Sequence, residues 1–239
     1  MSTLESFPTD WQRALCIVAH PDDLEYGTAA AVAGWTAAGK EVTYLLATRG
    51  EAGISTMEPA QAGPLREQEE RDGAAEVGVS EVHFLEGFAD GVLEADLDLR
   101  RALAREVRRF RPELVTTLTH AESFANGNLN QADHRAVGLS VLDAVAAAGN
   151  RWIFPDLLAE GHQPWDGVRW IAVSAAADPT HTVDVTDTFE QAVASLEAHR
   201  EYLAALGPDY PAPRDLLGEM LADPQAEGRY RWAARVHPR

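Results

Sequence analysis

Residues 14–19 (Ala-Leu-Cys-Ile-Val-Ala) are continuously apolar, only six long, and run without a break into His20-Pro21-Asp22-Asp23-Leu24-Glu25. A short apolar run without polar alternation is the pattern of a strand covered on both faces, as in a parallel sheet. Residues 42–47 and 114–119 read the same way, and Val82 to Leu85 is a shorter candidate. Helical patterns separate these runs: 28–38 before Gly39, 65–77, 97–110 before Pro112, and 134–148. The alternation predicts an α/β fold with a mostly parallel sheet. Strands are also expected at 170–173 and 182–185, and a helix at 187–205. No linker is evident, so one domain over 1–239 is expected, with its core at about 13–205. The five prolines after Gly207 predict a mostly irregular tail over 207–239 with one short helix. The six Arg at 100–111 are expected on a solvated helix face.

Composition narrows the function. Of 239 residues, 46% are hydrophobic and 24% charged, which excludes a disordered or collagen-like chain. With 20 basic and 38 acidic residues the formal charge is −18, which disfavours nucleic acid and anionic membrane surfaces as partners. The longest uncharged run, Tyr26 to Gly39, is 14 residues, too short to span a bilayer, and no signal peptide is expected. The single cysteine, Cys16, permits no intramolecular disulfide, and a cytoplasmic location is the expectation. Cys16 lies inside an apolar run and reads as core rather than nucleophile.

Several motifs fail. Gly34 to Glu41 nearly matches a phosphate-binding loop, but Glu41 replaces the required hydroxyl and the segment runs from helix into strand. No G-x-G-x-x-G follows the first strand, and no G-x-S-x-G elbow is present.

The chemistry concentrates in two clusters. His20, Asp22 and Asp23 fall at the carboxyl end of a buried strand, where ligands bind in open parallel sheets and unpaired charge is costly. Asn130-Gln131-Ala132-Asp133-His134 follows the 114–119 strand and a Gly/Asn-rich loop, at the start of a helix. His20, Asp23 and His134 would supply two imidazoles and a carboxylate, leaving a fourth position for water, as in a catalytic zinc site. Asp22 is then free to act as general base. Alternatives remain for the separate parts: the Asp pair or Asp133 capping a helix.

Ala19-His20-Pro21-Asp22-Asp23-x-Glu25-x-Gly27 resembles the signature of the PIG-L/LmbE-like deacetylases. The similarity continues through Thr48-Arg49-Gly50-Glu51-Ala52-Gly53, Arg66-x-x-Glu69 and Asp133-His134-Arg135-Ala136-Val137-Gly138, and weakly at His181 to Thr186. The resemblance implies a Rossmann-like three-layer sandwich with the active site at the strand carboxyl ends. It implies zinc, or another transition metal, on His20, Asp23 and His134, with Asp22 as base. It further implies that Arg66 contacts sugar hydroxyls, that Glu51 lies near the pocket, and that Asp133 lies on the substrate side. Where the family commonly has a His, this chain has Gln131, whose amide donates a hydrogen bond but delivers no proton. Either Asp22 carries the proton in both directions or another His serves, with His120 nearest by placement. The expected activity is removal of an acyl group, acetyl first, from the nitrogen of an amino sugar or its conjugate. The alternatives are an amidase on another N-acyl small molecule and a non-catalytic metal-binding homologue. The expected partner is the small-molecule substrate, with a homo-oligomer allowed.

Overall fold

The computed structural model describes residues Leu4–Arg239. Eight strands form one sheet. In chain order they are β1 (Glu5–Ser6), β2 (Arg13–Val18), β3 (Glu41–Leu46), β4 (Glu81–Phe84), β5 (Leu114–Leu118), β6 (Trp170–Ser174), β7 (His181–Asp184) and β8 (Arg231–Pro238). The α-helices are α1 (Thr28–Ala37), α2 (Pro59–Glu76), α3 (Leu97–Phe110), α4 (Ala132–Ala148), α5 (Asp156–Ala159), α6 (Phe189–Glu197), α7 (Arg200–Ala205) and α8 (Pro213–Leu221). The spatial order is β1-β7-β8-β6-β5-β2-β3-β4, parallel throughout except where β8 pairs with β6 and β7. No helix among the described residues is long and apolar enough to cross a membrane.

The unbroken apolar run of β2 follows from its position in the middle layer. Ala14, Cys16 and Val18 pack into one hydrophobic cluster with α1 and α6. Leu15, Ile17 and Ala19 pack into the opposite cluster with α3 and α4. Period-2 side-chain alternation therefore meets helices on both sides, and no position is left for a polar residue. Cys16 is fully buried, and burial pushes its thiol up to about 12. It is core.

The chain order sets the site. From β2 it moves outward through β3 and β4, then crosses back to place β5 on the other side of β2. Beyond the carboxyl ends of two such strands lies the crevice in which doubly wound sheets bind ligands. His20 follows β2, and the loop after β5 leads to His134.

Three expectations need correction. The tail is not irregular: β8 is an eight-residue strand inserted between β6 and β7. Trp232, Ala234 and Val236 are buried while the residues between them are not, an alternation that the prolines obscured. The helix expected at 187–205 breaks between α6 and α7, and His199 in the break is fully buried. Finally, Arg108 does not lie on a solvated face. It is 3% exposed, and its guanidinium donates to Ala148 O at 3.1 Å and to Asn150 O and Ile153 O at 2.9 Å each, closing the carboxyl end of α4. Arg108→Ala is expected to lower the unfolding free energy by about 2–3 kcal/mol, because several charge-assisted bonds and carbonyl partners are lost together. A urea titration with an unchanged slope reads this directly; a midpoint equal to the parent's would contradict it.

Candidate metal centre and active site

The turn after β2 is built around Asp23. Its Oδ2 accepts the backbone N–H of Ala19 at 3.0 Å and of His20 at 2.8 Å. That curls the segment so that His20 and Asp23 face the same point. His134, in the first turn of α4, completes the set: its Nε2 lies 3.3 Å from His20 Nδ1 and 2.9 Å from Asp23 Oδ1. One ligand atom from each of the three residues lies within 4.8 Å of the others, and all three residues are buried.

The outer nitrogens of both imidazoles are held. His20 Nε2 lies 3.0 Å from Asp90 Oδ1 and 3.2 Å from Asp133 Oδ2. His134 Nδ1 lies 3.0 Å from Asn130 Oδ1. The Asn130 amide is oriented by donating to Thr119 O at 2.7 Å and Ala121 O at 3.0 Å, so its oxygen faces His134. Each outer nitrogen meets an acceptor; with the ring proton assigned there, His20 Nδ1 and His134 Nε2 turn lone pairs toward each other and toward Asp23. Two facing lone pairs beside a carboxylate are poorly matched to one another and well matched to a cation. Two nitrogens bound tetrahedrally to zinc at about 2.0–2.1 Å lie about 3.3 Å apart, the spacing seen between these rings. Outer partners of this kind fix ring orientation at metal sites.

Asp22 is not part of this set but lines the same cavity. Its backbone has φ 88°, a strained value for a residue with a side chain. Glu70 Oε2 accepts its N–H at 3.0 Å. Its carboxylate is 3.2 Å from Arg66 Nη2 and is hydrogen-bonded by the Tyr202 hydroxyl. Burial pushes the Asp22 carboxyl up to about 7, with Arg66 opposing and the charge of Asp23 adding.

Behind it lies a second buried cluster, Glu25, Glu70 and His199, all fully buried, with His199 Nε2 3.8 Å from an oxygen of each glutamate. Burial pushes Glu70 up to about 8. A carboxyl raised in the folded state favours folding below its ordinary value near 4.5, and that contribution is lost as pH rises toward 8. Chelator-treated protein is therefore expected to lose thermal stability across that window, and Glu70→Gln to flatten the loss. Asp22, Asp23, Glu25, Arg66 and His199 surround the group and remain in the variant. An identical pH slope in parent and variant would assign the effect elsewhere.

The remaining expected residues are placed as follows. Gln131 is exposed and lines the cavity beside His134. Arg66 also lines it, yet it is 2% exposed, donates to Pro21 O and Gly50 O, and stacks its guanidinium 3.9 Å from the Tyr202 ring centre. Its donors hold the two loops together. Glu51 is outside the lining: its carboxylate accepts the N–H of Arg49 and of Asp90, which fixes Asp90 against His20. Asp133 is likewise turned away from the cavity, accepting the N–H of Gly91 at 2.7 Å and Leu93 at 3.1 Å besides holding His20. His120 is exposed beside the backbone of Gly138 and is not brought to the cavity. Asp90, Asn130, Tyr202 and Glu70 escaped sequence reasoning. Only Asn130 carried a signal, lying four residues before His134.

The profile of the PIG-L family, described as GlcNAc-PI de-N-acetylase, matches residues 15–145, more than half of the chain. The chain belongs to the PIG-L family. The matched segment runs from β2 through most of α4 and holds His20, Asp22, Asp23 and His134. Among similar proteins is the diacetylchitobiose deacetylase of Thermococcus kodakarensis, 29% identical over 196 residues, covering 80% of this chain and 70% of the relative. A second is the 1D-myo-inositol 2-acetamido-2-deoxy-alpha-D-glucopyranoside deacetylase of Nakamurella multipartita, 33% identical over 178 residues, covering 62% of this chain and 58% of the relative. The fold is shared with the N,N'-diacetylchitobiose deacetylase of Pyrococcus horikoshii, with a TM-score of 0.84 at 24% identity over 96% of this chain and 85% of that one.

Proposed function

We propose that this PIG-L protein is a metal-dependent hydrolase that removes an acetyl group from the nitrogen of an amino sugar or sugar conjugate. The observation that carries the reading is the convergence of His20 Nδ1, His134 Nε2 and Asp23, each oriented from outside, beside a carboxylate that is not part of the set. The relatives named as acetamido-sugar deacetylases support the substrate class. The donor set fits zinc, and two imidazoles with one carboxylate also suit other transition metals.

When bound, the metal supplies a Lewis acid that polarises the acyl oxygen and lowers the pKa of water to about 7. Asp22 takes the proton from the attacking water. The carbon–nitrogen bond then breaks, and with His120 away from the cavity, Asp22 returns that proton to the departing amine. Tyr202, Arg66 and Glu70 hold Asp22 in place. Gln131 donates its side-chain N–H to the acyl oxygen as it becomes negative, a role worth about 10²–10³ in rate for one fixed donor.

Gln131→Ala is accordingly expected to lower kcat by that factor at unchanged metal content, and Gln131→Glu by more, since it sets a negative charge against the developing oxyanion. Near-parental kcat in both would remove Gln131 from the mechanism and leave the metal set untouched. The reading as a whole is tested by elemental analysis of the purified protein, followed by amine release from acetylated glucosaminides. Metal without amine release from any of them would favour a binding protein.

A further inference from the structure

The metal set lines a cavity of about 830 Å³, within the roughly 300–1,000 Å³ typical of small-molecule sites. One acetylated hexosamine ring at the metal set leaves much of it unfilled. The lining also carries a set of apolar side chains. Leu118, Phe124, Leu129, and Leu216 and Met220 of α8 are among the lining residues. Leu129 is 76% exposed and Met220 50% exposed, so the mouth presents apolar side chains to water. Isolated exposed apolar residues need no explanation, but a set that shares one cavity with a polar reaction centre marks a binding surface.

Charge narrows the occupant further. Among the described lining residues Arg66 is the only Lys or Arg, and its guanidinium is committed to Asp22, Pro21 O and Gly50 O. Asp22, Asp23 and Asp90 line the same cavity, in a chain of formal charge −18. Away from the metal set, a phosphate or carboxylate on the substrate would find no uncommitted Lys or Arg to pair with, in a chain of strongly negative charge. Asn126 and Asn128 supply uncharged groups suited to sugar hydroxyls.

We infer that the substrate is an uncharged acetamido sugar whose aglycone is apolar, with the aglycone lying against Leu129, Leu216 and Met220. This rests on the deacetylase reading above, which keeps the acyl group small and leaves the aglycone to fill the outer cavity.

The test compares the methyl and octyl glycosides of N-acetylglucosamine, its 1-phosphate, and the N-octanoyl methyl glycoside. Each is used below its micellar concentration on metal-loaded protein, with amine release as readout. The octyl glycoside is expected to exceed the methyl glycoside in kcat/KM by about tenfold or more, since its added methylenes leave water against the apolar wall, and the phosphate to fall below both. Leu129→Ala combined with Met220→Ala should shrink the octyl-to-methyl ratio toward one. Equal rates for the two glycosides, a preference for the phosphate, or a gain confined to the N-octanoyl compound would overturn the inference. So would light scattering showing an oligomer that Leu129→Asp and Met220→Asp dissociate, because a second copy would then cover the wall. If no compound releases amine, calorimetry with octyl and methyl glucosaminide separates the two readings. Tighter octyl binding keeps the apolar wall and rejects hydrolysis; equal binding rejects the wall as well.

Discussion

Asp22→Asn is expected to keep the metal and lower kcat by about 10²–10⁴, the usual worth of a positioned acid–base group. The two neighbouring carboxylates have different surroundings. Asp22 is engaged by Arg66 and Tyr202 outside the imidazole set, and an amide of the same shape retains its oxygen for one of them. It cannot take up the proton of the attacking water. Asp23 accepts two backbone N–H groups on Oδ2 and sets Oδ1 2.9 Å from His134 Nε2; Asn has a single oxygen and must place its NH2 at one of these positions. Asp23→Asn should therefore lose metal first and activity as a consequence. Elemental analysis and single-turnover amine release, run on both variants, separate these roles. Equal metal loss in the two would mean that the pair is wrongly divided.

His134→Ala should abolish both metal binding and turnover. The residue offers Nε2 to the set while Nδ1 is tied to Asn130. Its removal leaves His20 and Asp23 without a third ligand. In the parent protein, zinc at about 100–1,000 times its dissociation constant should raise stability by about 2.7–4.1 kcal/mol; the variant should show no such rise. A thermal midpoint that zinc still raises equally in His134→Ala would place the metal elsewhere. Asn130→Ala should fall between parent and His134→Ala, since loss of an outer partner weakens affinity by about 10–100-fold.

Much of this architecture was legible in the chain. The six-residue apolar runs identify strands buried on both faces, and β2, β3 and β5 lie within one residue of where those runs place them. His20, Asp23 and His134 were legible for a related reason: charge at the end of a buried strand requires a partner. What escaped was tertiary. Nothing around Asp90 announces that Glu51 will fix its backbone and set its carboxylate against His20. The resemblance put Asp133 on the substrate side, but successive residues on a helix do not face the same way, and its carboxylate meets the loop at Gly91 instead. His120 misled similarly: adjacency to a strand end says little about which way a loop side chain turns. The strand β8 was hidden by composition, since its alternation follows a stretch rich in proline.

The cavity draws on two stretches of chain. His20, Asp22, Asp23 and His134 all precede residue 145, whereas Tyr202, Tyr210, Leu216 and Met220 follow it, on and around α7 and α8. The two stretches meet in space but are separate in the gene, so they can be varied independently. A library randomised only at 210, 216 and 220 leaves every proposed ligand, the base and its partner Tyr202 in place. Selection for new glycosides could then proceed without the loss of catalytic power that usually accompanies reshaping a pocket.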